Sequence, residues 1–136
     1  MEELKLLDFI TQNLTSKKNS DNRFFSHKDK YRVWRYNFGQ IYELSCKFAK
    51  FLASQGLVKG NRVIIKGENK PEWAVAFIGC LMSGCVVVPL DLRSSPDFDL
   101  KVYSKVKAKA IVTEGIETCR HFEKEKITKI FFNQFE

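Results

Sequence analysis

The sequence lacks the features that mark secreted, membrane-spanning or zinc-binding proteins. No uninterrupted apolar run reaches the ~18 residues of a membrane-spanning helix, and residues 1–13 mix charged with apolar side chains, unlike a signal peptide. The 4 cysteines form no C-x-x-C pair, and the 2 histidines are not spaced to complete a zinc site. These absences predict a cytoplasmic protein with small, buried, apolar cysteines, namely Cys46, Cys80, Cys85 and Cys119.

Motifs for nucleotide binding and acyl transfer are also missing. The chain has no G-x-G-x-x-G, no Walker-type G-x-x-x-x-G-K-[ST] and no G-x-S-x-G. His27 falls in a predicted turn and His121 on a charged helix face, so both are expected to face solvent. No nucleophile has a defined base. We therefore predict no catalytic, cofactor-binding or metal-binding residue in these 136 residues.

The net charge of +7 comes mainly from 17 lysines, against 6 arginines. Nucleic-acid-binding domains depend on arginine forks and interleaved aromatic residues, so no nucleic-acid partner is expected. The dense lysine runs at residues 101–109 and 124–129 are typical of solvated helix faces. A weak attraction to an anionic membrane or a nucleotide stays open as an alternative.

Residues 1–37 are predicted to form a helix followed by a β-hairpin. Apolar residues recur at helical spacing over residues 2–13. Two β-rich runs, 23–26 and 31–36, flank the polar stretch 27–30, which is typical of a hairpin.

Residues 38–136 alternate between helix and strand patterns. The first helix has Asn37 as its N-cap, with Gln40 placed for a capping box, and ends at Gly56. A short β-branched strand at residues 62–66 follows. The next helix begins at Pro71 and is apolar enough to be buried on most sides, with a face of Trp73, Phe77, Cys80 and Leu81.

Residues 85–90 form a continuous apolar run entered directly from the bend at Gly84. A strand without alternation predicts burial on both faces of a parallel sheet covered by helices. Pro89 lacks an N–H and should lie at the strand end.

The last third continues the alternation. Ser95 and Pro96 start a helix whose first turn carries Asp97 and Asp99 as charges complementing the helix dipole, while its inner face is predicted to be Phe98, Val102 and Val106. A strand at 110–113, a helix at 116–125 and a strand at 128–132 complete the series. The predicted fold is α/β, with an open, mainly parallel sheet and helices on both faces, preceded by a short β-hairpin, in one domain over 1–136.

Two loops at the carboxyl ends of predicted strands are candidate binding sites, because ligands of open α/β sheets bind there. In residues 66–71, the helix start near Lys70 could hold an anion, although capping is the favoured interpretation. After the next strand, Asp91 and Arg93 would suit a pocket, but a local pair between them or capping of the next helix explains both residues better.

Four segments in register resemble the AMP-binding, adenylate-forming enzyme family. YNFGQI at 36–41 is similar to L-[ST]-Y-x-E-L, with Asn37 at the hydroxyl position, and LMSGCVVVPLD at 81–91 is similar to L-K-A-G-x-A-Y-V-P-[IL]-D. Between them, GNRV at 60–63 and NKPEW at 69–73 resemble G-D-R-V and N-x-x-E-W. The resemblance gives structural roles to five motif positions: Asn37, Gly39, Gly84, Pro89 and Asp91.

The resemblance implies an ATP- and Mg²⁺-dependent ligase that makes an acyl-adenylate from a carboxylic acid and passes the acyl group to CoA. The lead-in at 33–35 and the NKPEW segment look most like the fatty-acyl-CoA branch. The family's phosphate loop, aromatic-x-T-E segment, ribose Asp and C-terminal Lys have no counterpart here, so we expect an inactive N-terminal fragment without a cofactor of its own. An unpaired sheet edge would favour homo-oligomers.

The alternative hypothesis is a non-catalytic α/β binding or regulatory module. The two hypotheses predict different reading frames beyond residue 136. A ligase requires a Ser/Thr/Gly-rich loop to follow, whereas a free-standing module requires a stop codon.

Overall fold

The fold was obtained as a computed structural model that describes residues 6–16, 23–28 and 33–135. The elements run in the order α1 (Leu6–Thr15), β1 (Arg23–Lys28), β2 (Val33–Asn37), α2 (Phe38–Ser54), β3 (Arg62–Lys66), α3 (Pro71–Met82), β4 (Val86–Leu90), α4 (Pro96–Val106), β5 (Ala110–Thr113), α5 (Ile116–Cys119) and β6 (Thr128–Phe131). A 3₁₀ turn, Arg120–Phe122, follows α5, and a second, Phe132–Phe135, follows β6. The start of the predicted first helix, most of the loop after it and the hairpin turn lie outside the described residues.

The strands form two sheets. β1 and β2 pair antiparallel, which confirms the hairpin, although His27 lies within β1 opposite Trp34 and not in the turn as predicted. The other four strands form a sheet in the order β4-β3-β5-β6, and each pair is parallel. The helix–strand alternation therefore predicted the parallel sheet correctly.

Helices cover both faces of this parallel sheet, as predicted. We call α1, α2 and α3 the first layer; they pack on the face that carries Val63, Ile65 and Val112. The second layer consists of α4, α5 and the 3₁₀ turn Arg120–Phe122, and it packs on the opposite face, which carries Ile64 and Ile111. Because successive residues of a strand face opposite sides, β3 and β5 contribute apolar side chains to both layers.

Two glycines end the helices of the first layer as the sequence predicts. Gly56 has φ +81°, and the Leu57 N–H donates to the Leu52 carbonyl at 3.1 Å. Gly84 has φ +75°, and the Cys85 N–H donates to the Cys80 carbonyl at 2.9 Å. Both are Schellman ends, in which the left-handed residue closes the helix and redirects the chain toward the next strand.

The predicted burial of the 85–90 run is wrong. β4 is parallel, but it lies at the edge of the described sheet with β3 as its neighbour, and Val86 is 48% exposed. Val87 and Val88 are half-buried, one against each layer. The apolar run reflects contact with both layers, whereas full burial also requires a neighbour on each side.

Two helix predictions need correction as well. Within α3, Val75, Ala76, Ile78, Gly79 and Cys80 are buried, while Trp73, Phe77 and Leu81 are half-buried. Small residues face inward because α2 approaches closely there; a Cβ on Gly79 would lie 2.6 Å from Phe48 Cδ1. The helix predicted over 116–125 ends at Cys119, since the polar residues 123–126 are all exposed and bury nothing.

Candidate functional site at the carboxyl edge of the sheet

The first motif position, Asn37, caps α2 as expected. The Asn37 Oδ1 accepts from the Gln40 N–H at 2.8 Å, and the Gln40 Oε1 accepts from the Asn37 N–H at 2.9 Å. This reciprocal pair is a complete capping box, with asparagine in place of serine or threonine. Gly39 lies in the first turn of the same helix and is half-buried. Asn37 therefore has a structural role as the helix cap, while the role of Gly39 stays a prediction.

The second motif links α3 to the sheet. The Gly84 carbonyl accepts from the Gly60 N–H at 2.9 Å, and a Cβ at Gly84 would lie 2.9 Å from Lys59 Cγ. The turn therefore requires glycine both for its positive φ and for space. Pro89 lies one residue before the end of β4, opposite Ile65, on the edge strand where proline is tolerated.

Asp91 and Arg93 pair locally, as the favoured interpretation had it. The Arg93 backbone N–H donates to Asp91 Oδ1 at 2.8 Å, and its guanidinium Nε lies 3.4 Å from the same oxygen. The backbone hydrogen bond, followed by the guanidinium, lowers the pKa of Asp91. An exposed carboxylate held ionised in this way is not suited to act as a general acid.

A buried ion cluster lies next to this loop and is the most unusual feature of the carboxyl edge. The Asp99 carboxylate is 0% exposed and the Lys66 side chain is 4% exposed. Asp99 accepts from Lys66 Nζ, from Ser94 Oγ at 2.5 Å and from His121 Nε2 at 2.9 Å. We call these four residues the Asp99 cluster. Three donors satisfy the buried carboxylate, as such a group requires.

Four separate elements bring the Asp99 cluster together. Lys66 ends β3, Ser94 lies in the β4–α4 loop, Asp99 lies in the first turn of α4, and His121 lies in the 3₁₀ turn. Lys66 Nζ also donates to the Ser94 carbonyl at 3.2 Å. The cluster therefore fixes the second layer to the end of the central strand β3.

Two predictions fail at this cluster. His121 is not exposed as predicted, since its side chain retains 13% exposure. Asp99 lies in the first turn of α4 as predicted, but its carboxylate is 0% exposed. Phe98, predicted to face inward, is 52% exposed, and the inward direction belongs to Asp99 one residue later. Asp99, Tyr103 and Val106 recur at i, i+4 and i+7, so they lie on one side of the helix. This spacing could have been recognised from the sequence.

A second polar tie joins the β3–α3 loop to the end of β5. Glu114 Oε1 accepts from the Glu68 N–H at 2.9 Å, and Oε2 accepts from Lys70 Nζ at 2.8 Å. Partial burial lowers the pKa of Lys70, but the hydrogen bond and charge of Glu114 outweigh it, so the net pKa is raised. The ammonium proposed as an anion site is therefore already paired.

The cysteines behave as small apolar residues. Cys80, Cys85 and Cys119 are buried, while Cys46 is half-buried. Burial raises the pKa of all three buried thiols, which keeps them protonated and unreactive. Within the described residues, no three His, Cys, Asp or Glu side chains converge as a metal site would require.

The carboxyl edge does not fit a nucleoside triphosphate. Its two inward cations, Lys66 and Lys70, are each engaged by a carboxylate, and a phosphate cradle would need free backbone N–H groups on a glycine-rich loop. The edge can fix loops and helices in position. No helix in the described part of the chain is both long and apolar enough to cross a membrane.

Comparisons with known sequences identify the same family as the four motif segments. The profile of the family described as AMP-binding enzyme matches residues 15–134. The D-alanine–D-alanyl carrier protein ligase of Bacillus licheniformis is 27% identical over 78 residues, which cover 57% of this chain and 16% of that protein. Acyl-coenzyme A synthetase ACSM3, a mitochondrial protein of Homo sapiens, is 32% identical over 83 residues, covering 60% of this chain and 14% of that one.

Solved structures show the same fold. The O-succinylbenzoate coenzyme A synthetase of Bacillus subtilis, in complex with AMP, superposes with a TM-score of 0.81 at 17% identity over 93% of this chain and 32% of its own. A fatty acid AMP ligase from Legionella pneumophila gives a TM-score of 0.76 at 19% identity over 96% and 23%. The chain thus spans about a sixth or less of the curated relatives above. The match over residues 15–134 shows that the chain belongs to the AMP-binding enzyme family.

Proposed function

We propose that this chain is the N-terminal part of an ATP-dependent acid–thiol ligase of the fatty-acyl-CoA synthetase type. The whole enzyme activates a carboxylic acid as an acyl-adenylate with ATP and Mg²⁺, then transfers the acyl group to CoA. The observation that carries the proposal is the family match over residues 15–134, a range that contains all four motif segments.

The contribution of this chain is structural. Asn37 and Gly84 fix α2, α3 and the start of β4, while the Asp99 cluster and Glu114 fix the loops at the carboxyl edge. A rigid edge is useful in a ligase because catalytic loops must be held to within a fraction of an ångström. The residues that perform the reaction belong, on this proposal, to other segments of the enzyme.

The fatty-acyl branch is supported by the name of one relative, and the name of a second supports an acyl-CoA synthetase more broadly. Long chain acyl-CoA synthetase 8 of Arabidopsis thaliana is 34% identical over 73 residues, and ACSM3 is described above. The D-alanyl carrier protein ligase represents the competing choice, an amino acid passed to a carrier protein.

Pyrophosphate exchange tests this proposal. The longest reading frame containing the chain should be expressed and assayed for ATP–pyrophosphate exchange with fatty acids of several lengths and with D-alanine. Exchange with fatty acids, followed by acyl-CoA formation, is the expected result. Exchange with D-alanine alone would reject the fatty-acyl type, and no exchange with any acid would reject the ligase.

We also propose a cytoplasmic location and self-association through the open edge of β4. The exposed Val86 and the unpaired outer side of this strand support association. Size-exclusion chromatography with light scattering across a concentration series should show a concentration-dependent mass. A Val86→Lys variant should shift the equilibrium toward the monomer, and unchanged behaviour would reject the edge as the contact.

A further inference from the structure

The second layer covers the last strand, β6, incompletely. α4 runs over 11 residues, whereas α5 runs over 4 before the short 3₁₀ turn. Lys129 and Phe131 face this layer, because Ile130 between them packs against the first one. A groove of about 480 Å³ remains beside α5, within the size range of small-molecule sites. It is lined by Ile116, Cys119, Arg120, Glu123, Lys129 and Phe131.

Three of the lining side chains form an apolar wall. Cys119 is buried, Phe131 is half-buried and Ile116 is 66% exposed. Because all three line the same groove, the exposed Ile116 belongs to a larger apolar surface and is not an isolated residue. A ligand with an apolar body would remove this surface from water, which favours binding.

The charged side chains of the groove are not equivalent. Arg120 is engaged by Glu117 at 2.6 Å, and Glu123 is exposed at the rim. Lys129 is half-buried and forms no ion pair with a residue that the structure describes. Burial raises the pKa of the Cys119 thiol, and the nearby charge of Lys129 opposes that rise. Lys129 is therefore a cation at the apolar wall without an anionic partner of its own.

We infer that the groove between α5 and β6 binds a medium-chain fatty acid. The carboxylate accepts from the Lys129 ammonium, and the aliphatic chain covers Ile116, Cys119 and Phe131. Glu123 repels the carboxylate from the rim and limits the affinity. The inference is independent of the proposed ligase activity, since it uses none of the family-motif positions and concerns binding alone.

A monocarboxylate fits this groove better than a phosphate ligand does. Lys129 is the one lining cation that no described carboxylate engages, and Glu123 would repel the second charge of a phosphate monoester. Phosphate sites also use free N–H groups at a helix start, whereas α5 has 4 residues and carries Glu117 in its first turn. One cation beside an apolar wall matches a ligand with a single negative charge and an apolar chain.

Isothermal titration calorimetry of the 136-residue chain with decanoate, below the concentration at which micelles form, tests the inference. Decanoate should bind, and octanoate should bind about 15-fold more weakly, because it buries two fewer methylene groups. Decanol, which lacks the charge, should bind about tenfold more weakly than decanoate. Acetate, which lacks the chain, should show no binding. In NMR spectra, decanoate should shift the backbone amides of residues 116–123 and 128–131 and leave those of α2 in place.

Substitutions of the two opposite charges should change the affinity in opposite directions. Lys129→Met should weaken decanoate binding about tenfold. The matched control, Lys126→Met, removes the same charge from an exposed site outside the groove and should change little. Glu123→Gln should strengthen binding about threefold, because it removes the repulsion at the rim.

Circular dichroism confirms that each variant folds. Because Glu123 is exposed, Glu123→Gln should fold even if Lys129→Met does not. Absence of decanoate binding, equal affinity for decanol and decanoate, or amide shifts centred on the first layer would each overturn the inference. Equal losses in Lys129→Met and Lys126→Met, or a Glu123→Gln variant that binds no more tightly than the parent, would also overturn it.

Discussion

The two helix layers on the parallel sheet are stabilised by different physical means. In the first layer, α2 and α3 meet through small residues, and the fully buried side chains are almost all apolar. In the second layer, a fully buried carboxylate with three donors stands at the centre of the contact between α4, the 3₁₀ turn and β3. The first layer therefore depends on shape and the second depends on charge pairing.

The difference matters because the two kinds of contact fail differently. The stability that shape complementarity provides falls in proportion to the change in side-chain volume. A second substitution in the contacting residue does not easily restore it. A buried ion pair is lost abruptly when one partner goes, because the other is left charged in an apolar site. Replacing both partners with apolar residues can restore stability, so the second layer should show strong coupling between sites.

The largest effect is expected from Asp99→Ala. The substitution leaves Lys66 buried without its carboxylate and should lower the free energy of unfolding by about 3–5 kcal/mol, measured by urea denaturation. Thiol labelling should show Cys119, in the second layer, reacting faster than in the parent while Cys80, in the first, stays protected.

Lys66→Met combined with Asp99→Leu is the matched control, and it should recover most of the loss. A double variant as unstable as Asp99→Ala would show that shape, and not charge pairing, governs this layer too.

Gly79→Ala should have the next largest effect. A Cβ there would lie 2.6 Å from Phe48 Cδ1 and 3.1 Å from the Ser45 carbonyl oxygen, so α2 and α3 must separate, at about 1–3 kcal/mol. Thermal unfolding followed by circular dichroism measures it.

The comparison residue is Gly115, where a Cβ meets nothing within 4 Å. Gly115→Ala should leave the midpoint nearly unchanged. Equal midpoints for the two alanine variants would refute the close helix contact.

Asn37→Ala should cost about 1 kcal/mol, because the Gln40 N–H loses its cap. Asn37→Ser keeps a capping oxygen and should recover the loss to within a few tenths of a kcal/mol. Chemical denaturation of the three proteins side by side measures the difference, and an Asn37→Ser variant as unstable as Asn37→Ala would argue against capping as the role.

The smallest effect concerns Lys70. Its pKa is raised in the folded chain, so the folded state holds the proton more tightly than the unfolded state does. The stabilisation is complete below the ordinary lysine pKa of about 10.4 and is lost as the pH rises through the raised value.

Unfolding measured at neutral pH and above about pH 10.4 should show this loss in the parent, at less than about 1 kcal/mol for a pair that solvent still reaches. Lys70→Met should lack that part of the pH dependence. An identical alkaline loss in both proteins would contradict the assignment to Lys70.

Local signals predicted the ends of the elements well. The capping box at Asn37, the Schellman ends at Gly56 and Gly84, and the start of α4 at Ser95 and Pro96 all depend on residues within five positions of each other. Such interactions are contained in any short window of sequence, so the helix–strand alternation, and with it the parallel sheet, could be predicted.

The candidate site could not be predicted because its partners are distant in sequence. Asp99 is 33 residues from Lys66 and 22 from His121, and no local pattern states which strand end faces which helix. Phe98 and Asp99 also differ by one position, about 100° around a helix, which was enough to reverse the predicted inward residue.

The edge position of β4 could not be predicted from the sequence either, because strand order is a property of the whole sheet. The run 85–90 is as apolar as a central strand. Its place beside β3 alone, within the described sheet, depends on where β5 and β6 insert.

The position of Pro89 within β4 limits what can be added to that sheet. The Val86 N–H donates to the Asn61 carbonyl at the start of β3, so the amides of Val86, Val88 and Leu90 point toward β3, and the alternate residues Val87 and Pro89 point outward. Proline has no N–H to offer. Val87 is therefore the sole outward amide donor within β4, beside two outward carbonyl acceptors, those of Val87 and Pro89. A strand arriving from another molecule would find one donor fewer than on an ordinary edge, which weakens the pairing and favours reversible contacts over fibrous growth.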